Sequence, residues 1–165
     1  QMIAFTSATK TDIPLIRELA EKSWNDAYAD ILSQQQIDYM MMEMYSATEL
    51  SSHFDNSHYH YFLILYHEKP VGFIGFENHY EPQTTKLHRL YLLPEAKGKG
   101  LGKAALNFLK KQVATTSNRR IILNVNKNNP AQHIYLSQGF VIADEVVVDI
   151  GNGFVMDDFL MEFNL

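Results

Sequence analysis

Tyr91-Leu-Leu-Pro-Glu-Ala-Lys-Gly-Lys-Gly-Leu-Gly-Lys103 is the stretch on which the reading turns. The leucine-rich stretch Leu87 to Leu93 predicts a β-strand, and Pro94 ends it. A lysine- and glycine-rich turn follows. An amphipathic helix opens at Lys99 or Gly100 and runs to about Ala114, with Leu101, Ala105, Phe108 and Leu109 inward. Glycine lets a backbone approach an anion closely and take positive φ. The first turn of a helix leaves N–H groups unpaired, with the helix dipole behind them. Lys97, Lys99 and Lys103 add charge. Lys97, Gly98, Lys99, Gly100, Leu101, Gly102 and Lys103 therefore predict a phosphate cradle. The plain alternative is a glycine-rich turn with incidental lysines. A P-loop is excluded, because Gly98 to Lys103 has neither its spacing nor its Ser/Thr hydroxyl. The Gly-x-Gly-x-x-Gly dinucleotide pattern is also absent, and the stretch follows a hairpin rather than a first strand.

Upstream, Met2 to Ser7 reads as a strand. Thr11 is a candidate helix cap, and Ile13, Ile16, Leu19, Ala20 and Trp24 keep a helical period to about Tyr28. Ser33 caps a second helix carrying Ile37, Met40, Met41 and Met44, and Thr48 to Phe54 reads as a short third one. The Met40 to Met42 run reads as core filling ahead of a malleable ligand wall. His58 to Tyr66 and Val71 to Asn78 form a hairpin around the turn His67 to Pro70. Downstream come a strand Ile121 to Val125 and a helix Ala131 to Ser137 broken by Gly139. A closing hairpin, Phe140 to Ile150 and Phe154 to Phe163, turns at Gly151-Asn152-Gly153. This is an α/β mixture with no repeat and no linker, so residues 2–165 read as one domain.

The 165 residues are 46% hydrophobic and 20% charged, an ordinary globular composition. No apolar run reaches the roughly 20 residues of a membrane-spanning helix. With no cysteine, disulfide scaffolds, thiolate metal sites and cysteine nucleophiles are excluded. That fits a reducing cytoplasm, the expected location, as does the lack of a signal-peptide pattern. Gln1 reads as an addition ahead of a native start at Met2. The net charge of −5 is unevenly spread. Residues 86–127 carry ten bases and one acid, whereas residues 1–56 carry nine acids and three bases, and residues 128–165 carry six acids and no base. A basic block inside an acidic chain suits an anionic ligand with a cationic one beside it. Lys110, Lys111, Arg119 and Arg120 read as a solvated helix end and turn.

The segment after the helix sharpens the reading. Asn128-Asn-Pro-Ala-Gln-His-Ile-Tyr135 is followed by Leu-Ser-Gln-Gly139-Phe140. With these residues the chain resembles the GNAT superfamily of N-acetyltransferases. The pyrophosphate loop of that family, Arg/Gln-x-x-Gly-x-Gly/Ala, is met by Lys97-x-x-Gly100-x-Gly102. Lysine at the first position keeps the charge and loses the bidentate fork. The family's Asn-x-x-Ala-x-x-x-Tyr-x-x-x-Gly-Phe is met by Asn128, Ala131, Tyr135, Gly139 and Phe140. Within the superfamily the chain is most similar to the PaiA-type polyamine acetyltransferases. Softer features carry that likeness: the Trp24 to Tyr45 segment, the His88 to Leu92 strand, Asp149 to Gly153 and Met156-Asp-Asp.

The resemblance implies the GNAT fold, an α+β sandwich. Its central mixed, mostly antiparallel sheet has about seven strands in the order β-α-α-β-β-β-α-β-α-β-β. It implies acetyl-CoA as co-substrate, no metal, and direct attack by a primary amine such as spermidine or spermine. Pantetheine would run beside Leu90, Tyr91 and Leu92, where a bulged strand opens a slot. A backbone N–H near Leu92 would stabilise the oxyanion. Asn128 would hold the arm from the other side, with Asn124 and Ala131 beside it. Tyr135 would be the general acid. Many relatives place a basic glutamate where this chain has Lys86. His88 is therefore the first candidate base, with Glu77, His79 or water as alternatives and a structural histidine as the plain reading. Glu21, Asp26, Asp30, Asp149, Asp157 and Asp158 are candidates to attract a cationic acceptor, or simply a solvated acidic surface.

The chain could bind acetyl-CoA without turnover. The acceptor could be an amino acid, a peptide N-terminus or an antibiotic amine. His58-x-His60 with His53 is the one hint of a metal site, and zinc needs three or four converging ligands. A net acidic chain with one basic block is a poor nucleic-acid surface. The resemblance leaves room for a homodimer, and no membrane partner is expected.

Overall fold

The computed structural model describes residues 2–165; Gln1 lies outside the described residues. β1 (Ile3–Ser7) leads through a 3-10 turn into α1 (Ile13–Tyr28), α2 (Gln34–Met44) and α3 (Ala47–Phe54). Three strands follow: β2 (Tyr59–Tyr66), β3 (Lys69–Glu81) and β4 (Thr84–Leu92). Then come α4 (Leu101–Ala114), β5 (Arg120–Asn126), α5 (Gln132–Ser137), β6 (Val141–Gly151) and β7 (Phe154–Asn164).

All seven strands join one sheet in the order β1-β2-β3-β4-β5-β7-β6. Only β4 and β5 pair in parallel. The sheet is thus mixed and mostly antiparallel, as the GNAT likeness implies. Strand alternation gives it two apolar faces. Trp24, Ile37 and Leu50 from α1, α2 and α3 pack with Tyr61 and Phe73 on one face. Leu101, Leu106 and Val113 of α4 and Tyr135 of α5 pack with Ile74, Leu87 and Leu123 on the other. The sheet is therefore a partition between two cores. Among the described residues no helix is long and apolar enough to cross a membrane.

Local signals fixed most boundaries, and the exceptions have physical reasons. Ser33 caps α2 by accepting the Gln36 N–H at 3.1 Å, as expected. Ser46, not Thr48, opens α3, accepting the Glu49 N–H at 3.1 Å. Thr11 is not the cap of α1. Thr9 begins the preceding 3-10 turn, with its N–H on Asp12 Oδ2 at 2.9 Å. Met40 is buried while Met42 is exposed, so the methionine run is split between core and solvent. β3 and β4 extend past the expected Asn78 and Leu87 to meet at a turn where Gln83 takes φ +56°. The closing hairpin turns at Asn152 and Gly153, both at positive φ, the geometry of a type I′ turn.

Candidate active site

β4 and β5 run side by side only from Thr84/Arg120 to Leu87/Leu123. Beyond Leu87 they diverge, and β5 continues paired with β7 alone. The cause lies in β4. Phe76 of β3 faces Leu87, but Gly75 faces Arg89, so His88 is an extra residue and β4 is bulged there. A bulge bends its strand and sharpens the twist. It also breaks the alternation. Leu87, Leu90 and Leu92 face the α4 layer, while His88, Arg89 and Tyr91 all reach the α1–α3 side. Leu93 N–H bonds back to Val71 O at 2.8 Å. By strand alternation the N–H groups of Leu90 and Leu92 then point to the opposite edge, where β5 has left. The opening is a cleft of about 450 Å³.

The glycine-rich turn forms one end of this cleft. Gly98 and Gly100 take φ +78° and +77°, and a Cβ on either would meet nothing within 4 Å. These glycines are needed for their backbone conformation, and the space above them is open. Gly100 is the N-cap residue of α4, and the first intrahelical bond runs from Ala104 N–H to Gly100 O. The N–H groups of Leu101, Gly102 and Lys103 are therefore free of helical partners. The three lysines differ. Lys103 lines the cleft. Lys97 also lines it but pairs with Asp26 at 2.8 Å. Lys99 turns back onto Glu95 O at 3.2 Å and is not among the lining residues. These backbone donors, open glycines and Lys103 fit a pyrophosphate group, and the unpaired β4 edge fits a chain that bonds like a strand.

His88 lines the cleft from the bulge. Its Nε2 lies 3.0 Å from Glu77 Oε1, and its ring stacks on Tyr59 with centroids 4.9 Å apart. An ionised Glu77 makes that nitrogen the donor and leaves Nδ1 as the acceptor. Burial pushes the imidazole pKa down to about 4, with Lys86 and Arg89 adding to the effect against the pull of Glu77. His88 is thus neutral at pH 7. Tyr59 is itself held by Arg89, whose Nη1 donates to the Tyr59 and Tyr61 hydroxyls at 2.7 and 2.6 Å. The buried Arg89 guanidinium also lies over the Tyr45 ring and donates to Met44 O at 3.0 Å. His79 is elsewhere: Asn118 holds both its N–H and its ring nitrogen. Lys86, at the position of the usual glutamate, extends over the Tyr80 ring.

The titration of His88 has a measurable consequence. Its folded pKa lies below the unfolded value of about 6.5, so between about pH 6.5 and 4 the unfolded chain binds the extra proton. Stability is expected to fall as pH drops through that window, by on the order of 1–3 kcal/mol from this residue. Denaturant titrations of the wild type and His88→Gln at both ends of the window check this. The gap between the two proteins should shift in favour of the variant at the acid end.

Tyr135 enters the cleft from α5 and is buried. Its hydroxyl meets no hydrogen-bond partner among the described residues, and burial raises its pKa, keeping it protonated. Ala131 and Asn124 also line the cleft. Asn128 does not. It is exposed, and its N–H is turned onto Asn126 Oδ1 at 2.9 Å. The neighbouring Asn129 is buried and takes the inward place, donating to the Tyr28 hydroxyl at 3.3 Å. Tyr28 in turn lies 3.1 Å from the Tyr91 hydroxyl. Tyr28 and Asn129 escaped the sequence reading. Two adjacent asparagines do not reveal which one a turn directs inward, and a tyrosine ending an amphipathic helix reads as core.

The histidines of the metal alternative do not converge. His53 stacks on Tyr59 and bonds Tyr61 on the α3 side, whereas His60 packs against Phe76 on the other face. The acidic candidates also separate. Asp157 pairs with Lys127 and Asp26 with Lys97, while Asp158 is buried.

Comparison with known proteins agrees with this geometry. Residues 15–140 match the Acetyltransferase (GNAT) family. The chain belongs to the GNAT family. The PaiA N-acetyltransferase of Thermoplasma acidophilum, solved with coenzyme A, superposes with a TM-score of 0.84 at 25% identity over the full length of both chains. The spermidine N-acetyltransferase of Vibrio cholerae, solved with CoA and spermine, shares the fold with a TM-score of 0.73. That comparison has 20% identity and covers 99% of this chain and 95% of that one. A 5-NmdU N-acetyltransferase of Pseudomonas phage PaMx11 is 38% identical over 81 residues. That match takes in 48% of this chain and 56% of the phage protein, so the chain spans only about half of that curated relative.

Proposed function

We propose that this protein is an acetyl-CoA-dependent N-acetyltransferase acting on a primary amine, and within that class on a polyamine such as spermidine or spermine. The carrying observation is the cleft itself. One strand edge with outward N–H groups, an anion cradle at one end and a buried phenol in the wall serve a thioester of a long, phosphate-bearing thiol. The polyamine reading is supported by the PaiA-type likeness.

Acetyl-CoA, when bound, supplies the thioester carbon that the amine attacks. Lys103 and the free N–H groups of α4 hold the pyrophosphate. Leu90 and Leu92 offer N–H groups to the arm and to the thioester oxygen, where a fixed donor favours developing negative charge. His88, neutral and oriented by Glu77, accepts a proton from the acceptor ammonium directly or through water. The transfer is uphill, because an alkylammonium is a weaker acid than imidazolium, and it is drawn forward as the freed amine attacks the thioester. Tyr135 holds a proton at its hydroxyl for the departing thiolate.

The test is thiol release from acetyl-CoA across amines that include spermidine, spermine, amino acids, a peptide N-terminus and an aminoglycoside. Turnover is expected to be fastest with a polyamine. Faster turnover with another amine would replace the acceptor and keep the reaction. CoA binding with no turnover on any amine would favour a binding module.

A further inference from the structure

We infer that Asp158 is the specificity residue of the acceptor site, holding a second, non-reacting ammonium of the amine substrate. The inference rests on the acetyltransferase reading above. β7 is an interior strand, and Asp158 sits in its middle between Asn126 of β5 and Val146 of β6. Its side chain shares a face with Met156, two residues away, which belongs to the core under α1 and α2. Asp158 is only 6% exposed.

A carboxylate in such a place costs free energy unless it is paired and hydrogen-bonded. Among the described residues this one has no cation partner and a single long hydrogen bond. Oδ1 is buried with no partner among the described residues. Oδ2 has only Asn124 Nδ2, at 3.5 Å. The nearby cations are engaged elsewhere. Lys127 pairs with Glu145 and Asp157, and Lys86 lies over Tyr80. Buried polar atoms are normally satisfied, so an orphaned carboxylate oxygen points to a partner that arrives from outside.

The position fits the acceptor. Asn124, the group touching Asp158, is exposed and lines the cleft. Tyr28, also lining it, feels the charge of Asp158. His88 stands on the same face of the sheet, on β4, with β5 between it and β7. Two strand spacings would put the two residues about 10 Å apart, and the real separation is larger, because β5 has left β4 at this level and Asp158 lies level with Asn126, further along β5. That separation suits two nitrogens joined by several methylenes, and a short monoamine cannot reach both. A carboxylate favours the charged form of a bound amine. Asp158 therefore suits the nitrogen that stays protonated, and not the one that must lose its proton to attack.

The test is Asp158→Asn, which keeps shape and removes charge. Binding is measured by calorimetry with spermidine and with n-butylamine, and steady-state kinetics are run with both. The expected result is a loss of spermidine affinity of about 10- to 100-fold, seen as the same rise in KM with kcat little changed. Butylamine should be unaffected, and CoA affinity should be unchanged. Equal spermidine binding by wild type and variant would overturn the inference, as would no spermidine binding by the wild type. An equal loss for butylamine would also overturn it. Asp158→Ser repeats the comparison if the asparagine variant does not fold. Failure of the acetyltransferase reading shows separately, as absence of CoA binding or thiol release while Asp158-dependent spermidine binding persists.

Discussion

Replacing Tyr135 by phenylalanine is expected to lower kcat by about 10²- to 10³-fold, with KM and CoA affinity nearly unchanged. The reasoning starts from burial. Tyr135 lies in the cleft wall on α5 and packs edge-on against Phe140. Its hydroxyl has no protein partner among the described residues, so deleting it orphans no neighbouring group. The variant should therefore melt at or slightly above the wild-type temperature. Burial raises the phenol pKa above its ordinary value, so the proton stays on the oxygen at neutral pH. What is lost is a proton donor for a leaving thiolate, and that loss belongs in kcat. A second reading follows from the same chemistry. An acetyl thioester of a more acidic thiol needs less help to leave, so the variant should lose less with it. Unchanged kcat with acetyl-CoA would remove Tyr135 from the acid role.

Much of this arrangement was legible because it depends on spacing along the chain. The glycines of the cradle, the Pro94 stop and the Asn128-to-Phe140 pattern are local, and local patterns survive folding. The strand and helix order followed from periodicity, and the Asn152-Gly153 turn from its residue types. The bulge at His88 was not legible from the residues themselves. Nothing in Lys86-Leu-His-Arg-Leu90 marks which residue is the extra one, because a bulge is a property of two strands in register. The same limit hid Arg89. A cation in a strand reads as exposed, yet this one is buried among Tyr45, Tyr59 and Tyr61, residues far off in sequence. Lys99 shows the converse error. Charge next to a glycine loop reads as ligand contact, but a flexible side chain is free to bond its own backbone instead.

Gly100→Ala is expected to weaken CoA binding by at least about 10-fold while lowering the melting temperature by only a few degrees. Gly100 takes φ +77°, where an L-residue with a Cβ is strained by about 1–2 kcal/mol. In a protein of this size that strain corresponds to roughly 2–8 °C. No protein atom lies within 4 Å of the added methyl, so packing contributes nothing further. The same empty space is where an anion must come to meet the N–H groups of Leu101, Gly102 and Lys103. A methyl there, or a loop that relaxes to escape positive φ, displaces the anion from those donors. Affinity therefore falls by more than the strain alone explains. Calorimetric titration of CoA, with thermal melts of the same samples, separates the two effects. Gly153→Ala is the control, because it too has positive φ and open space but lies in the β6–β7 turn, outside the cleft lining. It should lose similar stability and keep its CoA affinity. If the two variants bind CoA equally well, the Lys97 to Lys103 turn is an ordinary turn and the cofactor lies elsewhere.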